Sequence, residues 1–152
     1  MAIVTTGFNT TAQANAILAK LRTELLPLGV ARVTRGKLAT IPNRPCAVLI
    51  GPAVDMGVLA LHVEEARWEW LLVIARDVED NDRRADELDT WADTTMGALI
   101  DLAWTTATFS IQGGEGPNRR EDDHLVRLLD HLGEEIDAVM ITFATRREIH
   151  PP

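Results

Sequence analysis

The chain has no tyrosine, a single cysteine, few other aromatic residues and no long apolar run. With only Cys46, it can form neither an intramolecular disulfide nor a multi-cysteine zinc site, which points to a reducing compartment such as the cytoplasm. No stretch approaches the roughly 18 apolar residues of a membrane-spanning helix. The opening Met1-Ala2-Ile3-Val4-Thr5-Thr6 lacks the basic start of a secretory leader, so neither secretion nor membrane insertion is expected. Positive charge is scarce as well: 15 Lys and Arg stand against 23 Asp and Glu, a net charge of −8. A chain this acidic repels phosphate backbones unless its bases cluster, which argues against specific nucleic-acid binding. What is present is ordinary: 152 residues, 46% hydrophobic and 25% charged, are the length and proportions of one globular domain with its own core.

Residues 9–26 place Ala14, Ile17, Leu18, Leu21 and Leu25 three and four apart, with Gln13, Lys20 and Glu24 off that stripe, which predicts an amphipathic helix. Asn9 or Thr10 offers a capping oxygen at its start, and Pro27 and Gly29 end it. Residues 30–34 and the apolar run 46–50 read as strands, joined by a surface loop over 35–44 and followed by a second loop that opens at Gly51. Residues 67–76 alternate Trp68, Trp70, Leu72 and Ile74 with Arg67, Glu69, Leu71, Val73 and Ala75, the pattern of a strand half exposed early and buried on both faces late. Residues 58–65 are its candidate hairpin arm, although Glu64-Glu65-Ala66 is not a tight-turn sequence.

Asp80-Asn81-Asp82 starts a second long helix whose face is Ala85, Leu88, Ala92, Met96, Leu99 and Ala103, with a kink or split expected at Gly97. A strand over 105–112 leads into a glycine-rich loop. A short helix over 118–133, with Leu125, Leu128, Leu129 and Leu132 on one side, and a strand over 138–147 complete the chain. The order predicts a single α+β domain over residues 1–152, with two main helices packed on one face of a largely antiparallel or mixed sheet. Trp68 and Trp70 give their strand a large apolar surface, to be covered by a helix or by another subunit.

Candidate chemistry is sparse. His62 and Glu64 share one side of an extended segment and could hold a metal or exchange a proton, yet no other histidine is near in sequence, and a solvated strand edge explains them as well. His124 and His131 are two helical turns apart, about 10 Å, too far to share one zinc ion. Asp80, Asp82, Asp86, Asp89, Asp122 and Asp123 cluster without calcium-loop spacing, and Gly113-Gly114-Glu115-Gly116 lacks the lysine of a phosphate loop. Cys46 has no adjacent His or base to lower its pKa and reads as a buried, inert thiol. The expectation is no catalytic residue, no cofactor and no metal.

One resemblance adds to this reading. It is carried in order by the opening helix, the Arg32-Val33-Thr34-Arg35-Gly36 strand end, the Arg44-Pro45-Cys46-Ala47-Val48-Leu49-Ile50-Gly51 strand, the tryptophan-bearing strand, the Asp86-Glu87-Leu88-Asp89-Thr90-Trp91 helix and the closing Val139-Met140-Ile141-Thr142-Phe143 strand. Together these resemble the tail terminator proteins of long-tailed, lambda-like bacteriophages, and residues 118–133 are longer than the matching linker in the short members. The resemblance implies a structural virion protein, assembled in the host cytoplasm as a ring, typically a hexamer. Such a ring caps the tail tube, ends its polymerisation and provides the surface for joining the head. Its implied partners are further copies of itself, the tail tube protein and head–tail connector proteins, with DNA passing through the ring without specific binding and no membrane involved.

In such a ring an acidic subunit needs local charge complementarity, so Arg83, Arg84, Arg119 and Arg120 are candidate subunit contacts, together with Trp68 and Trp70. Residues 51–66 and 112–120 are expected to be mobile in a free monomer and ordered in the ring. Two other readings stay open: another phage neck or tail-completion protein, and a small metal-dependent or acid–base enzyme using His62 and Glu64.

Overall fold

A computed structural model describes residues 8–36, 45–60, 63–77, 81–105, 110–111, 117–120 and 136–149. The first apolar stripe forms helix α1, Thr10–Leu25, which buries Gln13, Ala14, Ile17, Leu18, Leu21 and Leu25. Gln13 is therefore on the stripe rather than off it, because it precedes Ile17 by one turn. Asn9 makes no side-chain cap. Its Oδ1 instead accepts a 2.7 Å hydrogen bond from Gln13 Nε2. Pro27 tightens the exit into a single 3₁₀ turn, Leu26–Leu28, and Gly29 leaves it with φ of 96°, the left-handed conformation glycine adopts without strain.

Six strands and one more helix follow: β1 Arg32–Arg35, β2 Cys46–Ala60, β3 Val63–Asp77, α2 Asn81–Thr105, β4 Ser110–Ile111, β5 Asn118–Arg120 and β6 Ile136–Ile149. The sheet runs β1-β2-β3-β6-β4, and β5 also pairs with β6. Only β1 and β2 are parallel, so the fold is α+β with a mixed sheet, as the element order predicts. Strands β4 and β5 follow one another along one edge of β6: the chain runs from Ile111 to Asn118 while β6 goes only from Thr145 to Thr142.

Several expectations require correction. No loop opens at Gly51, because β2 resumes its pairing with β3 after a register shift between Ile50 and Ala53 and continues to Ala60. The expected mobile segment over 51–66 is therefore mostly hairpin, and Glu64-Glu65-Ala66 lies within β3 rather than at a turn. Helix α2 is unbroken through Gly97, which sits on its exposed side. The glycine penalty of about 1 kcal/mol is outweighed there by burial of neighbouring Ala92, Leu99 and Leu102. Of the strand expected over 105–112, Thr105 instead ends α2, Ser110–Ile111 is strand, and residues 106–109 and 112 lie outside the described residues. Residues 118–120, expected to begin a helix, instead satisfy backbone groups on the outer edge of β6. The rest of that expected helix, the 113–116 loop and the 37–44 loop lie outside the described residues.

The main core lies between the helices and one sheet face. Trp68, Trp70, Leu72 and Ile74 of β3 pack there with Ile17 and Leu21 of α1 and Trp91 and Leu99 of α2. The opposite face buries a smaller group, Cys46, Val48, Val73, Ala75 and Met140. Strand β3 is thus exposed on one side early and buried on both late, as its alternation predicts. Among the described residues no helix is long and apolar enough to cross a membrane.

Candidate assembly surface

The two tryptophans proposed as subunit contacts are interior. Trp68 is 0% and Trp70 2% exposed. The α1 stripe covers this face of β3. Each indole N–H is satisfied inside the chain: Trp68 Nε1 donates to Thr10 Oγ1 at 2.8 Å and Trp70 Nε1 to Thr145 Oγ1 at 3.0 Å. Trp70 also stacks on Phe143 of the neighbouring strand, with ring centroids 6.5 Å apart. They are core residues, because burying an indole under a helix of its own chain leaves it no surface for a neighbour.

The Trp70 bond belongs to a buried relay. Thr145 Oγ1 accepts from Trp70 and donates to Gln13 Oε1, and Gln13 Nε2 donates to Asn9 Oδ1. Gln13 and Thr145 are both 0% exposed, so the relay is what makes these polar groups tolerable beneath α1.

Beyond the reach of β1, which pairs only with Cys46 to Leu49, the β2–β3 hairpin continues as an arm of the sheet in which β2 is the free edge and β6 stays paired to β3 as far as Glu64 and Ile149. All five residues from Ala53 to Gly57 are exposed, so neither face of β2 is covered there. On the helix side the arm presents Val54 and Met56, 44% and 46% exposed. Phe8 extends this apolar strip, with its ring set edge-on to Trp68 at 6.4 Å. The other side of the arm is charged: Arg67 meets Glu69 and, at 3.8 Å, Asp55, while Arg146 of β6 meets Glu65 at 2.6 Å. The Arg67–Asp55 and Arg146–Glu65 pairs link neighbouring strands on this side, while Ala66, Trp68 and Ile149 join the main core on the other.

At the base of the arm, away from the helices, a cleft of about 590 Å³ is lined by Gly51, Arg67, Glu69, Leu71, Asn118 and Thr142 among others. The Arg67 guanidinium, the one base among its lining residues, is already engaged by two carboxylates. Glu64 is exposed on β3, and His62, its proposed partner in acid–base chemistry, lies outside the described residues, as do His124 and His131. Cys46 is a buried free thiol. No group of three His, Cys, Asp or Glu side chains converges as a metal site among the described residues.

The candidate contact arginines are only partly described. Arg119 bridges to Asp89 of α2 at 2.7 Å, an ion pair inside the chain. Arg83 and Arg84 lie in the first turn of α2 and Arg120 pairs with Met140 in the ladder, but their side chains lie outside the described residues. Other cations, not singled out from sequence, are better placed. Arg22, Arg32 and Arg35 are all exposed around β1, the edge strand of the sheet. Arg32 and Arg35 end the same short strand, and the hydrogen bond from Arg22 Nε to the Val33 carbonyl sets Arg22 of α1 beside them, a placement no sequence period signals. The chain matches no protein-family model, and no curated protein is significantly similar to it.

Proposed function

We propose that this chain is a tail-terminator-like structural subunit of a long-tailed phage, which assembles as a ring on the end of the tail tube and stops its growth. The sequence resemblance is joined by one structural observation: the free β2 edge of the hairpin, beyond β1, holds Val54 and Met56 exposed. A monomer gains nothing by holding two large apolar side chains out on a doubly exposed strand, whereas a subunit that must grip a tube or a neighbour does. On this reading the protein works by binding alone, without catalysis, and resides in the virion between tail tube and head.

The test is tube growth. Tail tube protein polymerising in the presence of the wild-type chain should give short, capped tubes. The Val54→Lys/Met56→Lys variant, both positions being solvent-exposed, should keep its folded stability to within about 0.5 kcal/mol and fail to cap. Tubes of unchanged length with the wild-type chain would contradict the proposal.

A further inference from the structure

Two groups of exposed charge of opposite sign lie on the two lateral sides of the molecule. Helix α1 lies over the β1 side of the sheet, tied down where Arg22 Nε donates to the Val33 carbonyl at 2.9 Å. Helix α2 lies over the opposite side, tied down by Arg119 to Asp89. On the first side Arg22, Arg32 and Arg35 are exposed and form no ion pair among the described residues. Arg35 donates to the Gly51 carbonyl at 3.2 Å and lies 5.9 Å from the Trp70 ring centroid. Such neutral partners fix a guanidinium in place without cancelling its charge.

On the second side Asp86, Asp89 and Asp93 are spaced three and four apart along the solvent face of α2 and are all exposed. Asp89 faces β5 through Arg119, while Asp86 and Asp93 have no ion pair among the described residues. Ile100, 49% exposed further along the same helix, adds an apolar anchor.

We propose that the β1 edge of one copy docks on the α2 flank of a second copy, with Arg32 and Arg35 against the Asp86–Asp93 stripe. The inference rests on the ring reading above and names its repeating contact. Every copy carries the arginine group and the aspartate stripe on opposite sides of one sheet, so the contact is head-to-tail, and a head-to-tail contact whose rotation closes gives a ring. Arginines on an edge strand ordinarily block uncontrolled pairing; facing a carboxylate stripe, they select one partner in one orientation.

Charge reversal tests this with light scattering and negative-stain imaging. Arg32→Glu/Arg35→Glu and Asp86→Lys/Asp93→Lys should each weaken self-association by at least about tenfold. Their equimolar mixture should recover it, because each reversed side then meets a reversed side, and the recovered rings should alternate the two variants and hold an even number of subunits. Melting curves check that each variant is folded, and the neutral pairs Arg32→Gln/Arg35→Gln and Asp86→Asn/Asp93→Asn should weaken association less than the reversals. If the wild type forms rings and either reversal forms them equally well, or the mixture stays apart, the contact is wrong and the ring reading stands. If the arginine edge instead binds duplex DNA, and Arg32→Glu/Arg35→Glu abolishes that binding without affecting rings, the edge serves a polyanion and the contact is again wrong. A wild type that stays monomeric at every concentration overturns both.

Discussion

Two buried hydroxyls set opposite expectations for the same substitution. Thr145 Oγ1 links Trp70 to Gln13, so Thr145→Val leaves an indole N–H and an amide oxygen unpaired beneath α1 and should cost about 1–3 kcal/mol. Thr95 Oγ1 is buried on α2 with no partner among the described residues, so Thr95→Val should raise stability, by about 1 kcal/mol. Urea titration of both variants checks the pair, and equal shifts would deny the relay its role. Apolar truncation follows burial: Leu21→Ala and Leu88→Ala, at 0% and 8% exposed, should each cost about 2–5 kcal/mol, Leu21 more. Lys20→Ala should barely move the transition near neutral pH. The hydrogen bond from Lys20 to Asp101 raises its pKa, so its contribution is complete below the ordinary lysine value and is lost only as pH rises through the raised one.

Elements were legible where one period persisted. The α1 stripe, the β3 alternation and the Leu88-Ala92-Leu99 face of α2 each repeat without interruption and stand as expected. Gln13 was misplaced because a polar residue on an apolar stripe shows its partners only in three dimensions. The expected hairpin pairing of 58–60 with β3 is present, but its continuity with Cys46–Ile50 was not legible because Gly51-Pro52 is a strong breaker pair locally, while the register shift that absorbs it depends on pairing with β3. Gly51 has φ of 104°, and a Cβ there would lie 3.2 Å from the Glu69 carbonyl oxygen. Gly51→Ala should therefore destabilise the chain by about 1–2 kcal/mol and speed amide exchange on both sides of the bend, whereas Gly57→Ala, whose Cβ would meet nothing within 4 Å, should do neither. The candidate surface was less legible than the fold: the tryptophans carry apolar area without saying which side covers it, and Arg22 joins Arg32 and Arg35 only through the packing of α1 on β1.

At the scale of the whole molecule, a net charge of −8 opposes self-association unless charges of opposite sign are brought together locally. The arginine side and the aspartate side provide that pairing, and salt should weaken association by screening it. Whether the folded chain is a ring subunit is decided by the mass and symmetry of the purified protein, by native mass spectrometry and negative-stain imaging, alone and with tail tube protein. A closed ring is expected, six-fold by the family resemblance, that loosens as salt is raised and is seen at the tips of capped tubes. A chain that remains monomeric at high concentration, in low salt and with tube protein added would contradict it.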